Sequence, residues 1–206
     1  MKKEYILGIL FFSGLWGISE AVLGDALYRA DVPFASVLLT IIGFIVLTFA
    51  GVYFPQKGTA MLIAGFAMLY KFLNEPFFAC HLLGIFLMGV CYDLLFNVLR
   101  MRKSFLPSAL VAYLSYTSFA VLITYVFRYS PWVQGGFMKV FRHIGINGSM
   151  AALECAILLP LSLHLAQRFK MNYATPFRLQ FRLSLYGISA LTIGLWVFGI
   201  SGYFFK

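Results

Sequence analysis

The run ASVLLTIIGFIVLTFAGVYF, residues 35–54, decides the fold class of this chain because none of its twenty residues is charged. A helix of about 20 apolar residues is long enough to cross the hydrocarbon core of a bilayer. The run is apolar throughout, whereas a strand of a membrane barrel alternates between apolar and polar residues. Residues 35–54 therefore predict a transmembrane helix, in which the backbone hydrogen bonds are satisfied within the segment.

Similar apolar runs lie on both sides of this one, and six of the seven prolines fall between the runs, where helix breakers belong. The seven runs predict an all-α, polytopic membrane bundle that occupies residues 1–206 as a single domain. The run 58–73 is the shortest, and without it the bundle would have six spans. Lys71, near its end, is expected to extend to the membrane interface. The other six runs are residues 5–24, 35–54, 77–99, 108–127, 148–167 and 183–205.

The composition agrees with a membrane protein. The chain is 62% hydrophobic and 11% charged, and its mean hydropathy is +0.88, whereas soluble domains carry about 25% charged residues. The net charge of +9 comes from basic residues that lie almost entirely between the apolar runs. We therefore expect these residues to orient the spans rather than to bind nucleic acid.

The distribution of positive charge predicts a cytoplasmic N-terminus and an external C-terminus. The membrane in which we expect the chain is the cytoplasmic membrane of a bacterium. With that orientation, ten of the sixteen Lys and Arg residues lie on the inner side. They are Lys2, Lys3, Lys57, Arg100, Arg102, Lys103, Arg168, Lys170, Arg178 and Arg182.

The outer connection near residues 131–146 predicts a short amphipathic helix. Phe137, Val140, Phe141 and Ile144 recur at helical spacing, with Lys139, Arg142 and His143 on the other side. Such a helix could lie in the membrane interface, with Trp132 at the depth of the headgroups, or could pack as a cover over the bundle. Either arrangement could form a lid.

Ionisable residues within apolar runs are costly to bury and are therefore functional candidates. Glu20, His81, Asp93 and Glu154 belong to this class, and Glu75, Arg142 and His143 lie on the same outer side as most of them. Together they favour the capture of a small polar or cationic solute. The predicted substrate-binding residues are Glu20, Glu75, His81, Arg142, His143 and Glu154.

Structural roles compete with this interpretation. Glu20 and Glu154 could each pair with a basic residue or bond to a neighbouring helix. His81 suits a core histidine, and Asp93 with Asn97 could cap a helix or pair with the basic cluster at residues 100–103. The sequence contains no metal-ligand or phosphate-loop motif, so we predict neither a metal nor another cofactor.

Small residues recur every four positions in the first run, at Ser13, Gly17 and Ala21. Such a stripe lets another helix approach closely, either within the bundle or on a partner protein.

Three segments carry a family resemblance: SGLWGISEA at residues 13–21, KFLNE at residues 71–75 and CYDLL at residues 91–95. In these segments, in size and in basic charge the chain resembles the S components of energy-coupling-factor importers, which are membrane-embedded substrate-binding subunits. The resemblance implies capture of a solute from the outer side and delivery when docked on a coupling subunit driven by ATPases. It also implies that Ser13, Gly17 and Ala21 form the partner-docking surface.

The sequence therefore favours a solute-binding transport subunit without enzymatic activity of its own. One alternative is an assembly subunit of a larger membrane complex, in which Glu20 and Glu154 serve assembly. Another is an intramembrane enzyme that uses Glu154 and His143 as acid and base.

Overall fold

The computed structural model describes residues 2–74, 79–101, 104–173 and 178–204. All regular secondary structure within these ranges is helical, which confirms the predicted all-α bundle. Seven helical segments follow one another, and π-helical turns extend or join four of them. They are α1 (Lys2–Ile18), a π turn (Ser19–Leu23) and α2 (Gly24–Arg29); α3 (Ala35–Tyr53); α4 (Thr59–Asn74); α5 (Ala79–Tyr92) with a π turn (Asp93–Val98); α6 (Phe105–Val121) with a π turn (Leu122–Val126); α7 (Ser130–Arg142), a π turn (His143–Gly148) and α8 (Ser149–Tyr173); and α9 (Arg178–Phe204).

Five of the segments are long and apolar enough to cross a membrane. The apolar parts of α4 and α9 within the described residues, Thr59–Phe72 and Tyr186–Ser201, are shorter. On α8 the residues Leu153 and Ile157 are 65% and 64% exposed. An apolar stripe turned away from the chain suits contact with lipid. The structure thus has the build of a membrane-embedded helical bundle.

Helix α3 lies at the centre of the bundle and contacts α1, α4, α5 and α8. Its Phe44 is fully buried and stacks on Tyr92 of α5, with ring centroids 6.3 Å apart. A Cβ atom at Gly43 would lie 2.7 Å from the indole of Trp16. Only glycine at this position lets Trp16 of α1 reach the core without displacement.

The small-residue stripe of α1 packs inside the chain. Ser13 is fully buried, Gly17 is buried and Ala21 is half-buried. A Cβ atom at Gly17 would lie 2.5 Å from Cγ of Tyr70 on α4. The structure therefore buries Ser13 within the chain and places Gly17 against α4. This is the intramolecular one of the two roles predicted for the stripe, and neither residue is open to a partner.

Helix α9 covers the neighbouring surface of α1 and α4. The indole nitrogen of Trp196 donates a hydrogen bond to the carbonyl oxygen of Leu10 at 3.0 Å, and the hydroxyl of Tyr70 donates to the carbonyl oxygen of Leu195 at 3.0 Å. Gly199 faces the ring of Tyr70, where a Cβ atom would lie 2.5 Å from Cζ. Tyr70 is thus held between two glycines, Gly17 and Gly199.

The prediction that Lys71 extends to the interface is wrong. Its side chain is 4% exposed, and its ammonium nitrogen lies 3.3 Å from a carboxylate oxygen of Glu20 and 3.1 Å from the carbonyl oxygen of the same residue. A buried ammonium group loses its hydration, and the carboxylate of Glu20 compensates for part of this loss. The pair joins α4 to the π-helical turn that follows α1.

Asp93 has a structural role of the kind predicted as its alternative. One carboxylate oxygen accepts a hydrogen bond from the backbone N–H of Met61 at 2.7 Å, and the other accepts one from the side-chain amide of Asn97. Met61 lies in the first turn of α4, where backbone N–H groups lack partners within the helix. Asp93 therefore caps α4 from a neighbouring segment. These two hydrogen bonds hold the carboxylate in place.

The predicted helix near residues 131–146 is present as α7, but its faces differ from the expectation. Val140 is 5% exposed and packs on the bundle, whereas Phe137 and Phe141 are 69% and 61% exposed. Trp132, expected at headgroup depth, is 8% exposed and buried in the bundle. His143 begins the π-helical turn that joins α7 to α8.

Candidate functional site

A cavity of about 320 Å³ lies at the end of the bundle where α2 follows α1, where α3 and α5 begin and where α6 ends. Its volume is at the lower end of the range of roughly 300–1,000 Å³ that is typical of small-molecule sites. Because neighbouring helices run in opposite directions, residues far apart in sequence meet here. The cavity is therefore a product of the topology rather than of any one motif.

Aromatic rings form two groups in the wall of the cavity. Tyr28 and His81 stack with their ring centroids 5.2 Å apart and an interplanar angle of 17°. In the second group, the ring centroid of His143 lies 4.9 Å from that of Tyr116, 5.3 Å from that of Phe119 and 5.0 Å from that of Trp132. Rings at these separations form a largely apolar wall with a few polar edges.

Hydroxyl and amide groups lie between the rings. The hydroxyls of Thr40 and Tyr116 lie 3.1 Å apart, so α3 and α6 are joined at the cavity wall. Thr40 also donates to the carbonyl oxygen of Ser36 at 2.8 Å. Ser36, Ser115 and Asn147 complete this polar lining. A small number of polar groups on an apolar wall determines how a ligand is oriented, and so contributes to specificity.

Glu20 provides a carboxylate at the wall of the cavity. Its side chain is 7% exposed and is paired with Lys71, which is not among the residues that line the cavity. The ammonium group of Lys71 thus compensates the carboxylate without itself lining the cavity. This arrangement offers a ligand a carboxylate whose charge is already compensated.

Lys139 of α7 lies at the edge of the cavity, where its position is fixed by two contacts. Its ammonium nitrogen donates to the carbonyl oxygen of Pro131 at 2.9 Å and lies 5.1 Å from the ring centroid of Trp132. A cation over an aromatic face is held by the negative charge of that face. Lys139 thus presents a positive charge beside the ring wall.

A second space, called here the vestibule, adjoins the cavity. Pro33 and Phe34, from the turn between α2 and α3, face Arg142 across it. The volume of the vestibule is about 450 Å³. Four residues line both spaces and so stand between them: Trp132, Lys139, His143 and Asn147.

The structure brings together some of the residues predicted to bind substrate. Glu20, His81 and His143 line the cavity, and Arg142 lines the vestibule. Glu154 lines neither space; it is half-buried on α8, and among the described residues no hydrogen-bond partner is found for its Oε2 atom. Glu75 lies outside the described residues.

Sequence reasoning missed Tyr28, Lys139 and Tyr116 as lining residues. Aromatic residues are frequent throughout this chain, so Tyr28 and Tyr116 carried no distinguishing signal. Lys139 had been placed on the polar face of the amphipathic helix, and the prediction of a lid contained the relevant signal. A polar face on a lid has to meet either water or the site that it covers.

Among the described residues, no three His, Cys, Asp or Glu side chains converge in an arrangement suited to a metal ion.

Comparisons of the chain with family models, curated proteins and solved structures found no match. The fold and the cavity thus define the class as a helical, membrane-embedded bundle with a small-molecule-sized site at one end.

Proposed function

We propose that the chain is a membrane-embedded solute-binding subunit of a transport system, which captures a small molecule in the cavity at the end opposite its N-terminus. The observation that carries the proposal is the cavity itself. It is lined by two groups of aromatic rings and by the side chains of Glu20, His81 and His143. These residues come from distant parts of the sequence and meet around unfilled space.

The position of α7 supports capture through a closable entrance. Trp132 and Lys139 of this helix line the cavity, while Phe137 and Phe141 on the same helix point away from the bundle. Gly136 interrupts α7 with a φ of 60° and a ψ of −164°. A break of this kind provides a site at which the helix can bend, so movement of α7 would open the cavity through the vestibule.

The orientation in the membrane and the energising partner form the second part of the proposal. The bias of basic residues puts the N-terminus in the cytoplasm, and the cavity would then face outwards. Cooperation with a coupling subunit and ATPases rests on the resemblance to S components. Because Ser13 and Gly17 are buried within the chain, a partner would have to bind elsewhere or displace part of the bundle.

Affinity purification in native lipid, after incubation with a cell extract, tests this function. Native mass spectrometry is expected to show a retained small molecule together with a coupling subunit and ATPases. A retained molecule without these partners would preserve solute binding and remove the energising module. Recovery of other membrane subunits with an empty cavity would favour an assembly role.

A further inference from the structure

The charges around the cavity differ from those that the sequence led us to expect. Among the described residues that line the cavity, Glu20 is the only one with a carboxylate. The ammonium nitrogen of Lys71 lies 3.3 Å from one of its carboxylate oxygens. The pair is neutral as a whole. Asp25, which belongs to the neighbouring helix α2, lies 2.8 Å from Arg29. Each of these two carboxylates is therefore already matched by a cation.

The two cations at the entrance, Lys139 and Arg142, have no carboxylate partner among the described residues that line the vestibule. Lys139 lines both the cavity and the vestibule, and Arg142 lines the vestibule. No carboxylate is found among the described residues that line the vestibule. Two positive charges at a partly enclosed entrance create a positive potential, which attracts anions and repels cations.

The walls favour a flat ligand. Tyr28 and His81 belong to one ring group, and Phe119, Trp132 and His143 belong to the other, yet all five line the same cavity. The faces and edges of aromatic side chains bind planar rings by offset-stacked or edge-to-face contacts. The volume of about 320 Å³ is large enough for a small ring compound.

We propose that the cavity binds a small planar ring compound that carries one anionic group. The ring contacts the aromatic walls, and the anionic group points towards Lys139 and Arg142. This inference rests on the proposed solute-binding function, and it assigns an anionic solute where the sequence favoured a polar or cationic one. Lys139 is the residue that sets the charge preference, since its ammonium group is held beside the Trp132 ring.

Three probes with the same ring and different charge test the inference: indole-3-acetate, indole-3-acetamide and tryptamine. Binding is measured with the purified chain in lipid nanodiscs. Indole-3-acetate is expected to bind about tenfold more tightly than tryptamine, with the amide between them, as one favourable charge contact would produce. Lys139→Gln is expected to remove most of this difference, and Lys139→Arg is expected to keep it.

Lys170 provides a matched control at the other end of the bundle. Its ammonium group also donates to a backbone carbonyl oxygen, that of Val52 at 2.7 Å, and lies 5.9 Å from the ring centroid of Tyr53. Lys170→Gln therefore removes the same charge and similar contacts away from the cavity. It is expected to leave the preference for indole-3-acetate unchanged.

Equal or tighter binding of tryptamine, or equal effects of Lys139→Gln and Lys170→Gln, would overturn the anionic assignment and leave solute binding intact. If none of the probes binds, the molecule retained from a cell extract decides the matter. A planar anion supports the assignment, and a cation or an uncharged molecule overturns it. An empty protein after both experiments would overturn the solute-binding function as well.

Discussion

The two ends of the bundle use the same residue types in different ways. At the end that carries the N-terminus, polar side chains bond to neighbouring segments: Tyr5 to Thr59 at 3.0 Å, Asp93 to the N–H of Met61 at 2.7 Å, and Lys170 to the carbonyl of Val52. At the other end, polar side chains surround the cavity. A polar residue in a membrane bundle thus indicates function only where the packing leaves space beside it.

The Glu20–Lys71 pair belongs to the cavity end but resembles the opposite end, because its charges satisfy one another. Lys71→Met is expected to destabilise the bundle by about 3–5 kcal/mol, since it leaves a buried carboxylate without its cation. The double variant Glu20→Gln, Lys71→Met is expected to recover most of this loss. The coupling between the two charges is measured by thermal unfolding in the same lipid environment. The four proteins compared are the unaltered chain, Glu20→Gln, Lys71→Met and the double variant.

Additive effects in that cycle would show that the two charges do not depend on each other. The pair would then be a poor explanation for the burial of Lys71. The same variants also separate stability from binding: if the double variant is stable yet loses ligand, the carboxylate of Glu20 contacts the solute.

Gly17 tests whether the stripe on α1 acts inside the chain. Gly17→Ala would place a Cβ atom 2.5 Å from Cγ of Tyr70, so we expect a loss of about 1–3 kcal/mol in unfolding free energy. Gly65→Ala on α4 is the matched control, because no atom lies within 4 Å of the Cβ position there. If both variants were equally stable while Gly17→Ala lost a partner subunit, the stripe would be a docking surface after all.

The smallest expected change in stability is at the end of the bundle that carries the N-terminus. Asp93→Ala removes the cap of α4 and is expected to cost about 1 kcal/mol in unfolding free energy without altering ligand affinity. The control, Asp25→Ala, removes a carboxylate from an exposed pair with Arg29 and is expected to cost about 0.3–0.5 kcal/mol. A change in ligand affinity with Asp93→Ala would break the contrast between the two ends.

The helical segments were predictable from the sequence because each one is an uninterrupted apolar run. For example, the run 35–54 corresponds to α3 (Ala35–Tyr53), and the run 58–73 corresponds to α4 (Thr59–Asn74). Backbone hydrogen bonding in an apolar environment permits few alternatives to a helix. The fold class follows from composition and periodicity alone.

The candidate site was predictable only in part. Helix direction places Glu20 and His81 at one end of the bundle, but it does not show which residues face one another. The partner of Glu20 is Lys71, which lies 51 positions away, and the rings around His143 come from α6 and α7. Contacts of this kind are set by packing between helices, and a single sequence holds no record of them.

The most direct test of the central claim is to fill the cavity from its own wall. Gly84 lines the cavity, and a Cβ atom there would meet Phe119 only at 3.9 Å, so Gly84→Phe is expected to occupy the space without displacing the backbone. Gly65→Phe makes the same change where no atom lies within 4 Å.

The measurement is native mass spectrometry of both variants and the unaltered chain in lipid nanodiscs after incubation with a cell extract. We expect the unaltered chain and Gly65→Phe to retain a small molecule and Gly84→Phe to lose it while remaining folded. Equal retention by Gly84→Phe would contradict the claim that this cavity is where the protein binds its solute.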